Sequence, residues 1–205
     1  MKTKLLLFPF NGNAIEALDC ASEEIEVVGF VDDSPEKIGN EYQGIRIYNR
    51  DILANENYKV MAVPGSPTSF KLRKEIIDSL GIDEFRFFNL IHPRAFVADG
   101  VKLGYNNLIM AGTVITSNVV IGSCNCILPN TVIHHDSVIG DYNLIGSNVT
   151  IPGNVELGNN NYIGSATAFK NDLSIGDFNL FGLGSNVIQS IESFNVMYGN
   201  PAKPK

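Results

Sequence analysis

The chain has 205 residues, 44% hydrophobic and 18% charged, with a formal charge of −7. That length suits one large domain or two small ones, and that apolar share builds a core, which sets aside global disorder. No Lys/Arg run is present to displace counterions from a polyanion and no stretch approaches a membrane span, so nucleic acid and a membrane-embedded role are excluded.

The opening apolar run, KLLLFPF, is too short for a secretory leader. The three cysteines, Cys20, Cys124 and Cys126, form no paired framework, and C-x-C without nearby Cys or His is too little for zinc. A reducing cytoplasm is the expected location.

Residues 1–92 read as alternating β and α. LLLFPF (5–10) predicts a buried strand, 14–21 a short helix, EVVGFVDD (26–33) a second strand ending in acids, and KVMAVP (59–64) a third. SPTSFKLRKEIIDSLG (66–81) predicts a helix with Ser66 or Thr68 as N-cap and Gly81 as the stop, and RFFNLI (86–91) a returning strand. This order implies a small parallel, Rossmann-like sheet whose ligands sit beyond the carboxyl ends of its strands. Those ends carry the candidate substrate residues Asn11, Gly12, Asn13, Asp32, Asp33, Pro64, Gly65 and Ser66. The first turn, FPFNGNA, holds one glycine instead of G-x-G-x-x-G, which argues against NAD. A mononucleotide half-site stays open, with Asp32 or Asp33 accepting from a ribose hydroxyl; the alternative for this pair is a solvated strand end.

Residues 93–205 are different. From Phe96 the sequence divides into sixteen unbroken hexads, and the second position of every one is apolar, ten times Ile. At the chain's apolar frequency, chance gives sixteen in a row roughly once in 10⁵–10⁶. A period of six fits neither an α-helix nor a simple alternating strand. It fits a parallel β-helix, three flat faces to a coil, each face contributing one inward aliphatic side chain. Gly104, Gly122, Gly140, Gly158 and Gly176 recur every 18 residues, one coil apart, as do Gly146, Gly164 and Gly182 on another face. Glycine here is predicted to turn the corner at positive φ, with Asn106, Asn107, Asn125, Asn143, Asn159, Asn160 and Asn179 as further left-handed residues.

Of three histidines, His92 precedes Pro93 and reads as structural. His134 and His135 follow the inward Ile133, in the turn VIHHDS. A group titrating near neutrality suits proton removal from an acyl acceptor, and Asp136 can hold the imidazole tautomer, which makes His135 and Asp136 the candidate catalytic pair. One coil from His135 lie Ser117 and Gly153, and one coil from His134 lie Thr116 and Pro152. None completes a tetrahedral metal site, so no metal is expected.

Taken together, VVGFVDDSPEKIG, the linker NLIHPRA, the turn VIHHDSVIG and the ending YGNPAK resemble the PglD/NeuD group of bacterial sugar acyltransferases, over essentially the whole chain. The resemblance implies a left-handed β-helix, which contradicts the usual right-handed crossover, and a cytoplasmic homotrimer. It further implies acetyl-CoA as acyl donor, lying along the prism between subunits, and a nucleotide-linked amino sugar held by the N-terminal half, within surface polysaccharide or glycan synthesis. The family's base maps onto His135 and its acidic partner onto Asp136. Coenzyme contacts map onto Gly153, Ser165, the turn Gly182-Leu183-Gly184, and Lys203. This chain departs from the group at its first turn, usually Gly-rich with a histidine, and at Leu144, where many members carry a second histidine. Three readings stay open: N-acetyl transfer to a nucleotide-linked 4-amino-4,6-dideoxy sugar, O-acetyl transfer of the sialic acid type, and a non-catalytic β-helix scaffold.

Overall fold

The computed structural model describes residues 2–205. Its N-terminal sheet contains β1 (Thr3–Phe8), β2 (Ile25–Val31), β3 (Glu41–Tyr42), β4 (Ile45–Tyr48) and β5 (Lys59–Ala62) in the order β3-β4-β2-β1-β5. All pairings are parallel except β3 with β4. Central β1 is apolar on both sides because both faces are covered. Leu5 and Leu7 pack with Ala14 and Ala17 of α1 (Gly12–Ala17), while Leu6 and Phe8 pack with Ile77 of α2 (Arg73–Asp78).

Several sequence expectations need correction here. The 66–81 helix is α-helical only over α2, behind a single helical turn at Phe70–Leu72. Ser66 and Thr68 do not cap it; the Ser66 hydroxyl bonds Thr68 and Ser69 hydroxyls, each at 2.9 Å, in the turn before it. Gly81 does follow the helix at φ +62°. The strand expected at 86–91 is split. Phe87 makes one bridge to Val60, and Leu90–Ile91 pairs instead with Leu108–Ile109 as the first rung of the coil. The hairpin β3–β4 turns on Gln43-Gly44, both at positive φ, a two-residue turn the sequence reading did not include.

The repeat forms three parallel sheets of six, five and eight strands, the last closed by one antiparallel strand. Successive coils pair residues 18 apart, as in Val114 with Val132 and Ile115 with Ile133. The second-position residues from Ile109 to Val187 point inward and are at most 7% exposed, forming one continuous core. Each such aliphatic side chain contributes about 1.5–3 kcal/mol relative to exposure. The last coil is two residues shorter, pairing Leu180 with Val196.

The recurrent glycines owe their place to close approach, not to φ. None of Gly104, Gly122, Gly140, Gly158 or Gly176 has positive φ; the left-handed residue comes two later, at Asn106, Cys124, Tyr142, Asn160 and Phe178. A Cβ on Gly122 would lie 2.9 Å from the Gly140 carbonyl oxygen of the next coil. Of the seven asparagines expected to be left-handed, only Asn106 and Asn160 are; Asn118, Asn130, Asn148 and Asn154 take that conformation at other corners. Asn107, Asn125, Asn143 and Asn179 belong to a buried ladder, each N–H donating to the Oδ1 one coil back at 2.8–3.0 Å. Such a ladder satisfies polar groups that water cannot reach.

Two buried side chains bind the N-terminal sheet to the prism. Asn106 continues the edge of β5, accepting from Ala62 N–H at 2.8 Å and donating to Ala62 C=O at 3.0 Å. Arg73, fully buried, donates to the carbonyls of Cys124 (2.7 Å), Tyr142 (2.9 Å) and Pro64, and its burial lowers the guanidinium pKa.

Candidate active site

The Ile133 side chain is fully buried, so the chain leaves the core at that point and presents His135 and Asp136 at a corner of the prism. His135 Nδ1 lies 2.7 Å from Asp136 Oδ2, with the two side chains 56% and 47% exposed. Asp136 sits at φ +61°, a conformation Asp tolerates, which turns its carboxylate back toward the preceding imidazole. Its other oxygen accepts from Asn118 Nδ2 at 3.0 Å, one coil away. The Asn118 bond first, and then the His135 bond, hold the Asp136 carboxyl below the usual carboxylate range. With Nδ1 engaged by a carboxylate, the neutral ring carries its lone pair on Nε2, the arrangement a general base needs.

Gly153 lies one coil beyond His135, directly against the ring. A Cβ there would meet Cε1 at 2.7 Å and Nε2 at 2.9 Å. Ser165, Leu183 and Gly184 lie at a different corner, separated from His135 by the six-stranded face; Leu183 is 83% exposed. Gly184 N–H donates to Ser165 C=O at 2.8 Å, so these residues share an edge with one another but not with His135 of the same chain. Lys203 is exposed on the terminal antiparallel strand.

At the carboxyl ends of β1, β2 and β5 a cavity of about 360 Å³ is lined by Phe8, Asp32, Asp33, Lys37, Arg50, Pro64 and Gly65, among others. It gathers Asp32, Asp33, Pro64 and Gly65. Asn11, Gly12, Asn13 and Ser66 are not among its lining residues. Asn11 caps α1, and both Asn11 and Asn13 donate to the Val63 carbonyl. Asp32 is buried and its oxygens are already taken: Oδ1 by Ser34 N–H, Oδ2 by Phe10 N–H and Lys37 Nζ. Burial raises its pKa, but the Ser34 and Lys37 bonds outweigh that and leave it lowered. Asp33 is held by both nitrogens of the Arg50 fork, at 2.6 and 2.7 Å.

Sequence reasoning passed over Asn118, Lys37 and Arg50. Asn118 was within reach of the 18-residue period, since 136 minus 18 gives it. Lys37 stands five residues after Asp32 in the very motif DDSPEK. For Arg50 no sequence signal exists, because its pairing with Asp33 depends on the β2–β4 register. The thiols stay out of the chemistry: burial pushes Cys20 up to about 12 and Cys124 and Cys126 to about 11. Among the described residues no group of three His, Cys, Asp or Glu could hold a metal, and no helix is long and apolar enough to cross a membrane.

Together the three parallel sheets, the 18-residue register and the α/β head define a hexapeptide-repeat β-helix protein with an N-terminal α/β unit. Residues 136–171 match the bacterial transferase hexapeptide (six repeats) family, and residues 1–88 match the C2185-like N-terminal family. No curated protein matches the chain. The whole chain is similar in fold to the acetyltransferase domain of PglB from Neisseria gonorrhoeae, solved with acetyl coenzyme A: 21% identity, full coverage of both chains, TM-score 0.86. It is equally similar to PerB from Caulobacter crescentus, solved with CoA and GDP-perosamine: 23% identity, 100% and 98% coverage, TM-score 0.84. A variant of the perosamine N-acetyltransferase from that organism, with the same two ligands, matches at 22% identity, 100% and 97% coverage, TM-score 0.85.

Proposed function

We propose that this chain is an acetyl-CoA-dependent N-acetyltransferase acting on a nucleotide-linked 4-amino-4,6-dideoxy sugar. The observation that carries the reading is the His135–Asp136 pair at 2.7 Å, exposed at a prism corner with its Nε2 side over a glycine. His135 Nε2 takes the proton from the sugar amine as its lone pair attacks the thioester carbonyl. The tetrahedral oxyanion collapses with C–S cleavage, and the imidazolium returns its proton to the CoA thiolate. Asp136 stabilises the imidazolium formed between these steps. Backbone N–H groups of Gly153 and of Leu183 are the donors assigned to the thioester oxygen, since the Gly184 N–H is already given to Ser165 C=O.

Because His135 and the Ser165–Leu183–Gly184 edge lie at different corners of one chain, a donor groove using both needs a second copy. A left-handed prism forming a homotrimer supplies it. The five-stranded face also carries Val120 and Val138, 37% and 44% exposed, as apolar surface for such contact. Residues 1–92 serve as the nucleotide-sugar domain, with the 360 Å³ cavity as its site, and 93–205 as the acyltransferase domain. The full-length likeness to proteins solved with acetyl-CoA, or with CoA and GDP-perosamine, supports the N-acetyl reading; a cytoplasmic place and a role in polysaccharide building are part of the same proposal.

The test is CoA release against a nucleotide-linked 4-amino sugar, its 4-hydroxy counterpart and free sialic acid across pH 6–9. The amino sugar should react best, and His135→Ala should lower kcat by roughly 10²–10⁴. Preference for sialic acid would promote O-acetyl transfer; no turnover and no acetyl-CoA binding would promote the scaffold.

A further inference from the structure

We infer that Asn118 is a positioning residue for the His135–Asp136 pair: its amide fixes the carboxylate rotation that selects the imidazole tautomer. The inference rests on the reading of His135 as base and adds a member that acts only through Asp136. The torsion of a carboxylate about its Cβ–Cγ bond is broad, so an exposed aspartate ordinarily swings between partners and water. Asp136 is held at three points. Its N–H donates to Ser117 C=O at 3.1 Å, Oδ1 accepts from Asn118 Nδ2 at 3.0 Å, and Oδ2 faces His135 Nδ1 at 2.7 Å. Each carboxylate oxygen thus has its own partner, and turning it toward solvent breaks two contacts together.

The same corner contains an internal comparison. Two coils further on, Asn154 Nδ2 donates to Asp172 Oδ1 at 3.1 Å, but the residue before Asp172 is Asn171, so no imidazole meets its other oxygen. The Asn-to-Asp bond is therefore available to the fold for stability alone, and a purely structural role at Asn118 is the alternative to beat.

Asn118 and Asp136 both lie at φ +61°, so alanine at Asn118 would add backbone strain. Glycine deletes the amide without strain, and Asn118→Asp tolerates the same φ while replacing the donor with a second carboxylate. Imidazole ¹⁵N NMR reads the outcome directly, because the chain has only three histidines and His135→Ala assigns the signal. In the wild type, neutral His135 should be predominantly Nδ1–H. In Asn118→Gly it should shift toward Nε2–H, and kcat should fall roughly 3- to 10-fold with both KM values unchanged, the size expected for one solvent-exposed hydrogen bond acting through Asp136. Asn118→Asp should lose more, as two carboxylates repel across the same gap. Asp172→Gly should lose comparable stability with no change in tautomer. An unchanged tautomer in Asn118→Gly overturns the inference, as does an equal shift in Asp172→Gly. If His135→Ala kept wild-type turnover, the base reading would fall separately, while the tautomer measurement would still decide what Asn118 does.

Discussion

Gly153→Ala separates the cost to activity from the cost to folding. The added Cβ would stand 2.7, 2.9 and 3.2 Å from Cε1, Nε2 and Nδ1 of His135, where ordinary contacts run 3.4–4 Å. The ring must retreat by about 0.5–1 Å, and a displacement of that order at a reacting group is worth roughly 10²-fold in rate. It can retreat cheaply, because His135 is more than half exposed, but it leaves the Asp136 contact in doing so. We expect kcat to fall about 100-fold, KM for acetyl-CoA to change less because alanine keeps the N–H, and Tm to shift by only about 1–2 °C. Gly122→Ala is the counterpart. Its Cβ meets the backbone of Gly140 at 2.9 and 3.0 Å, which cannot swing away. About 3 kcal/mol of stability, or roughly 6–12 °C in Tm, should be lost. Steady-state kinetics and thermal melts on both variants check this. Wild-type kcat in Gly153→Ala would refute the placement of His135 over Gly153 as a catalytic requirement, and a Tm loss as large as that of Gly122→Ala would refute the flexible-ring argument.

Asp32 has a lowered pKa, so its stabilisation is present above the usual carboxylate range and is lost as pH falls below it. Asp32→Asn should cost about 1–3 kcal/mol at pH 7, with the gap to wild type closing as pH falls below the usual carboxylate range; urea melts showing a pH-independent gap would contradict this. Light scattering should give three times the 22.4 kDa chain mass, and Val138→Glu should move the mass downward; a 22.4 kDa particle in the wild type would sink the shared-groove argument.

The prism was legible because its period is written in every coil. Sixteen apolar second positions mark the inward residues, and the 18-residue interval is the strand register itself. The same period misled about glycine. Recurrence shows that a position is constrained, but not whether by φ or by a neighbouring backbone, and only the packed coils reveal that Gly122 meets Gly140. In the head the difficulty was length. Two-residue β3 and six-residue α2 carry too few positions for a periodic signal, and tertiary contacts decide where they end. Asp32 illustrates the limit for the site: its acidity invited a ribose contact, yet it is buried with its oxygens consumed by Phe10, Ser34 and Lys37, whereas Lys37, Arg50 and Asp33, although paired, are the charged side chains of the cavity that are partly exposed.

Residues 18 apart stack, so a functional corner is written as columns, not as a contiguous motif. The column Ser117, His135, Gly153, Asn171 has its single glycine immediately above its single histidine, and the neighbouring column Asn118, Asp136, Asn154, Asp172 alternates donor and acceptor. A scaffold needs neither feature: Asn171 and Ser117 show that side chains larger than hydrogen fit that column elsewhere. What requires hydrogen at Gly153 is the imidazole below it, and what distinguishes Asp136 from Asp172 is the ring its free oxygen meets. The corner at His135 thus departs from the repeat in the two places where an exposed base needs space over its ring and a fixed carboxylate beside it, and that argues for chemistry over mere scaffolding.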